Sequence, residues 1–124
     1  MATVYRHLSG NEDDKREISL VWSPSANAKG YTIKSLLLSN ISEASVTCDL
    51  FLRHSISYGT PRINSKFHDD DYYVFKNITI PVNTSLQVME LLGELTYDYR
   101  FQLFINIYGD STNKLDAILN YEKT

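Results

Sequence analysis

The stretch Ala44-Ser45-Val46-Thr47-Cys48-Asp49-Leu50-Phe51-Leu52-Arg53 decides the fold class. Ala44, Val46, Cys48, Leu50 and Leu52 take every second position, and Ser45, Thr47, Asp49 and Arg53 are their polar alternates, with Phe51 the exception. A period of two sends successive side chains to opposite faces of an extended chain, so this segment reads as a half-buried strand. Working outward, Tyr31 to Asn40 follows Gly30, and its Leu36-Leu37-Leu38 run is apolar on both faces, as in a strand covered on both sides. Asn40-Ile41-Ser42-Glu43 reads as a tight connection, so these two strands are expected to pair as a hairpin. Further upstream, Ile18, Leu20 and Trp22 alternate with Ser19, Val21 and Ser23 until Pro24 stops the run.

Downstream, His54 to Asp71 is polar, holds Gly59 and Pro61, and reads as a long surface loop with a short irregular strand around Ile63. Tyr72 to Ile80 is rich in aromatic and β-branched residues, and Pro81-Val82-Asn83 breaks it. Ser85 to Leu92 is read as strand in preference to one helical turn, and Gly93 opens a turn region to Asp98. Tyr99 to Tyr108 puts Phe101, Leu103, Ile105 and Ile107 on one face. Gly109 to Asn113 is a turn, since glycine and asparagine tolerate positive φ, and Leu115, Ala117, Leu119 and Tyr121 alternate to the end.

About eight strands with turns at this spacing imply an all-β, antiparallel β-sandwich, jelly-roll-like, in one domain over residues 1–124. Pattern alone leaves an immunoglobulin-like sandwich open, although the single cysteine excludes the disulfide of antibody-type domains. Residues 1–10 are expected to act as an N-terminal arm.

Composition narrows the function classes. The chain has 124 residues, 43% of them hydrophobic and 22% charged, which is a globular and not a disordered composition. Twelve basic residues against fifteen acidic ones give a net charge of −3, so a generic nucleic-acid binder is not expected. No apolar run has the length of a membrane helix, and Met1 to Gly10 has no secretory pattern. Cys48 stands alone, so no internal disulfide and no thiolate metal site is expected.

Clusters that invite a chemical reading have plainer ones. His68-Asp69-Asp70-Asp71 offers oxygen ligands of the kind Ca²⁺ takes, but lacks the alternating acids, central glycine and terminal glutamate of an EF-hand; we read it as a solvated loop tip. Glu12-Asp13-Asp14 before Lys15-Arg16 is a charged turn. Serines accompany His7, His54 and His68, but no Gly-x-Ser-x-Gly elbow occurs, and Cys48 lies on the apolar face of its strand, where thiols are inert. Glu90 and Glu94 read as surface, and the isolated glycines form no phosphate-cradling loop. Asn40-Ile41-Ser42, Asn77-Ile78-Thr79 and Asn83-Thr84-Ser85 match the glycosylation acceptor by chance in an Asn/Ser/Thr-rich chain. No catalytic, metal or cofactor residue is assigned.

The aromatic excess, nine tyrosines and five phenylalanines, is more informative. Phe51, Phe75 and Phe104 each fall on the less apolar face of their strands and are expected at a subunit interface, where aromatics are enriched. Tyr5, His54, Tyr58 and Tyr73 are the further interface candidates, from the arm, the long loop and the aromatic strand. An alternative is a carbohydrate-binding module using Tyr58, Tyr72 or Tyr73 as ring platforms.

Several segments, in order, resemble a family of small virion structural proteins of tailed bacteriophages. Tyr31-Thr32-Ile33-Lys34-Ser35-Leu36-Leu37-Leu38-Ser39-Asn40 is similar to that family's strand ending in asparagine, followed by a short polar connection and a strand like Ala44 to Arg53. Tyr72-Tyr73-Val74-Phe75-Lys76-Asn77-Ile78-Thr79-Ile80-Pro81-Val82-Asn83-Thr84-Ser85-Leu86 looks like its strand running into Ile-Pro and a small polar turn. Leu115-Asp116-Ala117-Ile118-Leu119-Asn120-Tyr121-Glu122 is similar to its closing strand. Where the family carries a Gly-Asp turn before the penultimate strand, this chain has Tyr97-Asp98-Tyr99. The resemblance, over Gly30 to Glu122, implies a non-enzymatic β-sandwich that decorates or joins parts of a head, neck or tail. It implies no cofactor, and partners that are copies of itself and other virion proteins rather than nucleic acid or membrane. It places the chain in the virion, assembled in a host cytoplasm.

Overall fold

A computed structural model describes residues 2–10, 18–19, 30–54, 56–57, 60–61, 71–98 and 100–123. The described chain is almost all strand. In order come β1 (Ala2–Ser9), β2 (Ile18–Ser19), β3 (Gly30–Asn40), β4 (Val46–His54), β5 (Ile56–Ser57), β6 (Thr60–Pro61) and β7 (Asp71–Ile80). Then follow β8 (Ser85–Gln87), a single helical turn α1 (Val88–Leu92), β9 (Leu95–Asp98), β10 (Phe101–Ile107) and β11 (Lys114–Lys123).

Two antiparallel sheets carry the fold. The first has the order β1-β11-β3-β8, with β9 also on β3, and the second has the order β2-β10-β4-β7. β8 pairs with Leu37–Ser39 of β3 and β9 with Gly30–Ile33, so the two are halves of one strand position interrupted by α1. Counted that way, eight strand positions face each other four against four. The first strand lies beside the last and successive strands change sheets, except β4 and β7, which is the strand order of a jelly roll. β5 and β6 form a small separate ribbon in the connection between β4 and β7.

The core lies between the sheets. Leu36, Leu38, Leu115, Ala117 and Leu119 from the first meet Val46, Cys48, Leu50, Leu103, Ile105 and Ile107 from the second. At about 25 cal/mol per Å² of apolar surface removed from water, each such side chain contributes roughly 1.5–3 kcal/mol. Val88 and Met89 of α1 join this core, which explains why Ser85 to Leu92 leaves the expected strand after Gln87: the turn buries two apolar side chains that a continued strand would split between two faces. Gly93, at φ +76°, ends that turn, and what the sequence presented as a turn region beyond it is the strand β9.

Two further expectations are corrected. β3 and β4 do not form a hairpin; they lie in opposite sheets, and residues 41–45 carry the chain across the sandwich. Asn40 makes that corner. Its buried amide donates to the carbonyls of Ala44 and Ile80, both at 2.9 Å, and its oxygen accepts the Ser42 N–H at 2.8 Å. The segment expected to be an arm is the edge strand β1, paired with β11 from Ala2 to Ser9. Gly10 then leaves the sheet so close to the turn at Gly109 and Asp110 that a Cβ would meet their carbonyl oxygens at 2.7 and 2.6 Å. The strand expected through Trp22 is described only over Ile18–Ser19, and Ile63 lies outside the described residues.

Candidate interaction surfaces

The outer face of the second sheet carries the strongest side-chain chemistry of the described chain. Register sets it up. On β4, Phe51 lies opposite Tyr73 of β7 and Phe104 of β10; one step along, Arg53 lies opposite Asp71 and Gln102. The rings of Phe51 and Phe104 stack at 5.8 Å with planes 12° apart, and Tyr73 leans on Phe51 at 5.3 Å. The Arg53 guanidinium carbon sits 5.2 Å from the centroids of both phenylalanine rings. Its Nε and Nη2 donate to the two oxygens of Asp71 at 2.7 and 2.9 Å, a two-pronged pair. The side chains of Arg53 and Asp71 are only 2% and 1% exposed.

Phe51, Phe104, Arg53 and the Asp71 carboxylate are therefore buried although they lie on the sheet's outer face. Phe51 and Phe104, expected at a subunit interface, are each 1% exposed within the single chain and cannot contact a neighbour as the fold stands. Phe75 is corrected for a different reason. β7 slips register against β4 twice, between Cys48 and Leu50 and between Leu50 and Phe51. The extra residues reverse the alternation, so Phe75 lies opposite Leu50 and packs against the core. Of the acidic run, Asp71 opens β7 with its carboxylate in the buried ion pair rather than at a solvated tip; His68, Asp69 and Asp70 lie outside the described residues.

A second buried carboxylate supports the other slip. Asp49 accepts the Asn77 N–H at 2.8 Å and the Tyr108 hydroxyl at 2.9 Å. Asn77 holds φ +57°, a left-handed conformation that asparagine tolerates better than most residues. Burial, then the hydrogen bond and charge of Asp49, push the Tyr108 phenol up to about 12. Burial likewise pushes the Cys48 thiol up to about 12, with Asp49 adding to it, so the thiol stays protonated and unreactive at neutral pH.

The outer face of the first sheet is a different surface. Cross-strand polar rows cover most of it. Thr3 donates to Asn120 at 2.6 Å, Asn120 to Ser35 at 2.7 Å, and His7 Nδ1 lies 2.6 Å from Asp116. Lys34 reaches Glu94 at 3.1 Å and Glu122 at 3.7 Å. Between the rows runs one apolar line: Tyr5 on β1, Ile118 on β11 and Leu37 on β3. Tyr5, 74% exposed, is the most open large apolar side chain described, and it keeps its place as an interface candidate.

Tyr73 stays partly exposed, with Lys76 Nζ 4.9 Å over its ring. Tyr72, 61% exposed, turns to the opposite face and meets Phe101 edge-on at 5.8 Å. Adjacent strand residues point apart, so Tyr72 and Tyr73 present their rings on opposite faces of the sheet. His54 ends β4 opposite Phe101, but its side chain and all of Tyr58 lie outside what is described.

At one end of the core, Tyr31 meets Tyr97 at 5.8 Å and Tyr121 at 5.3 Å. Burial raises the Tyr97 phenol well above its ordinary value, and its buried hydroxyl has no hydrogen-bond partner among the described residues. No group of three or more histidine, cysteine, aspartate or glutamate side chains converges to hold a metal among the described residues, and no helix there is long and apolar enough to cross a membrane.

Sequence reasoning missed Asn40, Asp49 and the Arg53–Asp71 pair as organising residues. The available signal was two charged residues, Asp49 and Arg53, flanking Phe51 on one strand face. No protein-family model matches the chain, and no curated protein matches it.

Proposed function

We propose that the chain is a non-enzymatic structural protein of a tailed-bacteriophage virion, a jelly-roll unit that joins or decorates the head, neck or tail by contacts with other virion proteins and its own copies. The observation that carries this reading is the strand order: β1-β11-β3 with β8 and β9 against β2-β10-β4-β7. Jelly rolls of this kind serve capsid domains, and also lectins and cupins, so the strand order is read by analogy and the surfaces must agree with it. They do so in two ways. The chemistry of the second sheet's outer face is consumed internally, by Phe51, Phe104, Arg53 and Asp71, and serves rigidity. The first sheet's outer face is a pleated polar surface with a central apolar line and an open edge, which suits contact with another protein. The resemblance of residues 30–122 to the virion family supplies the particle.

The test is composition and position. Particles purified from the phage that encodes the chain are expected to contain it in fixed copy number, and electron microscopy of particles lacking the gene should miss a discrete density. Intact particles without the protein, indistinguishable from the wild type, would overturn the reading.

A further inference from the structure

We infer that the chain forms a twofold dimer by antiparallel pairing of β1 with β1 of a second copy, in the register that sets Tyr5 opposite Tyr5. The inference rests on the sheet edges and not on the virion reading: loss of either leaves the other standing.

Each sheet edge presents unpaired N–H and C=O groups, and native proteins blunt the edges they do not use. Two of the other edges are interrupted among the described residues. β7 carries two register slips and the left-handed Asn77, with Lys76 between them and the rest of the strand. The position shared by β8 and β9 is broken by α1. β1 runs unbroken from Ala2 to Ser9, pairing residue for residue with β11 and free of slips, prolines and glycines. Among the described residues nothing pairs with its other side.

The apolar line through Tyr5 points to a second copy, and symmetry and charge then restrict the register. β1 contains basic residues and no acidic one, so a second β1 must avoid setting Arg6 against Arg6. Antiparallel strands related by a twofold pair residues of one face, so the axis falls on a residue. An axis on Arg6 opposes the two guanidinium groups. An axis on Val4 leaves His7 and Leu8 opposite no described residue. An axis on Tyr5 sets Val4 against Arg6, Thr3 against His7 and Ala2 against Leu8, and moves the two arginines a diagonal step apart. It also joins the apolar lines of the two sheets: Leu37, Ile118 and Tyr5 continue through Tyr5, Ile118 and Leu37 of the second copy. The most exposed large apolar side chain thereby gains a cross-strand ring partner. The resulting sheet runs continuously through both subunits, the β-addition mode of recognition used symmetrically.

The experiment combines mass and cross-linking on the full chain. Sedimentation equilibrium is expected to give twice the 14.2 kDa chain mass. Under mild oxidation, Tyr5→Cys is expected to form a disulfide-linked dimer in high yield, because directly opposed Cβ atoms lie about 4.5–5.5 Å apart. Arg6→Cys, a diagonal step from its mate, is expected to cross-link poorly. Cys48 is buried and does not compete. Both substitutions lie on the solvent-accessible edge strand, and retained far-ultraviolet circular dichroism checks the fold. A monomer at about 0.5 mM, a trimer or higher ring, or a dimer in which Arg6→Cys cross-links and Tyr5→Cys does not, overturns the proposal.

Discussion

Replacing Arg53 by methionine is the most informative single change to the fold. Methionine keeps much of the volume and none of the charge. It leaves the Asp71 carboxylate, 1% exposed, without the two donors that now meet it at 2.7 and 2.9 Å. Breaking a buried pair from one side costs about 3–5 kcal/mol, whereas an exposed pair is worth about 0–1 kcal/mol. Loss of the guanidinium packed over the rings of Phe51 and Phe104 acts in the same direction. A domain of this kind holds about 5–15 kcal/mol in total, so Arg53→Met removes a large share of it. With a urea slope of about 1.5 kcal/mol per molar, the midpoint falls by about 2–3 M. Asp71→Leu takes the carboxylate from the guanidinium and should cost a similar amount. The double variant Arg53→Met/Asp71→Leu removes both charges of this pair and is expected within about 1 kcal/mol of the parent. Urea melts followed by circular dichroism complete the cycle. Single costs below about 1 kcal/mol that simply add in the double variant would refute a desolvated pair.

Three other perturbations probe separate parts of the fold. Asn40→Ala abandons the carbonyls of Ala44 and Ile80 at the corner between sheets and should cost about 3 kcal/mol in the same assay; a loss under about 1 kcal/mol argues against the bracket. Tyr97→Phe removes a buried hydroxyl with no described partner and should be neutral or stabilise by about 1 kcal/mol; a clear loss of stability means that the hydroxyl is satisfied. The Cys48 thiol, raised in the folded chain from 9.0 to about 12, favours the protonated folded state. Its contribution is complete below about pH 9 and is lost as pH rises toward 12, so the urea midpoint should decline above pH 9 and decline less steeply in Cys48→Ala; an unchanged slope refutes the assignment.

Alternation made the sandwich legible. Val46, Cys48, Leu50, Leu103, Ile105, Ile107, Leu115, Ala117 and Leu119 lie in the core where period two puts them. Turn chemistry was legible too: Gly109 at φ +93° and Asn83 at φ +58° occupy turns marked by their residue types. What failed depends on long-range pairing. A slip is invisible in sequence until the partner strand is known, and two of them in β7 reversed the expected face of Phe75. A third irregularity, between Asn120 and Tyr121 of β11 and its partners Ser35 and Ile33 on β3, shifts the core face of β3 from Leu36 and Leu38 to Ile33 and Tyr31. The three consecutive leucines there were read as a strand covered on both sides; Leu37 is instead half-buried on the outer face beside Ile118. Phe51 and Phe104 were placed correctly off the main core, but strand periodicity describes only two faces and not whether the second is covered. The N-terminal arm failed for a similar reason: the eight-residue pairing of β1 is with the far end of the chain.

The positions of the buried charges follow from those slips. A bulged edge strand can trade one register for another at small cost, because each extra residue can be absorbed at more than one point. In β7 such a trade would take Phe75 off the apolar side and expose it, or drive Lys76 inward. Apolar contacts alone discriminate weakly between these arrangements, since Val74, Phe75 and Ile78 are near neighbours of similar character. Charge discriminates strongly. Arg53 reaches Asp71 two-pronged only when Phe51 faces Tyr73, and Asp49 caps the Asn77 N–H only when Cys48 faces Ile78. The two carboxylates thus fix the pairing on either side of the irregular stretch. They do so between β4 and β7, the two consecutive strands that remain in one sheet across the long connection of residues 55–70, where chain connectivity constrains register least.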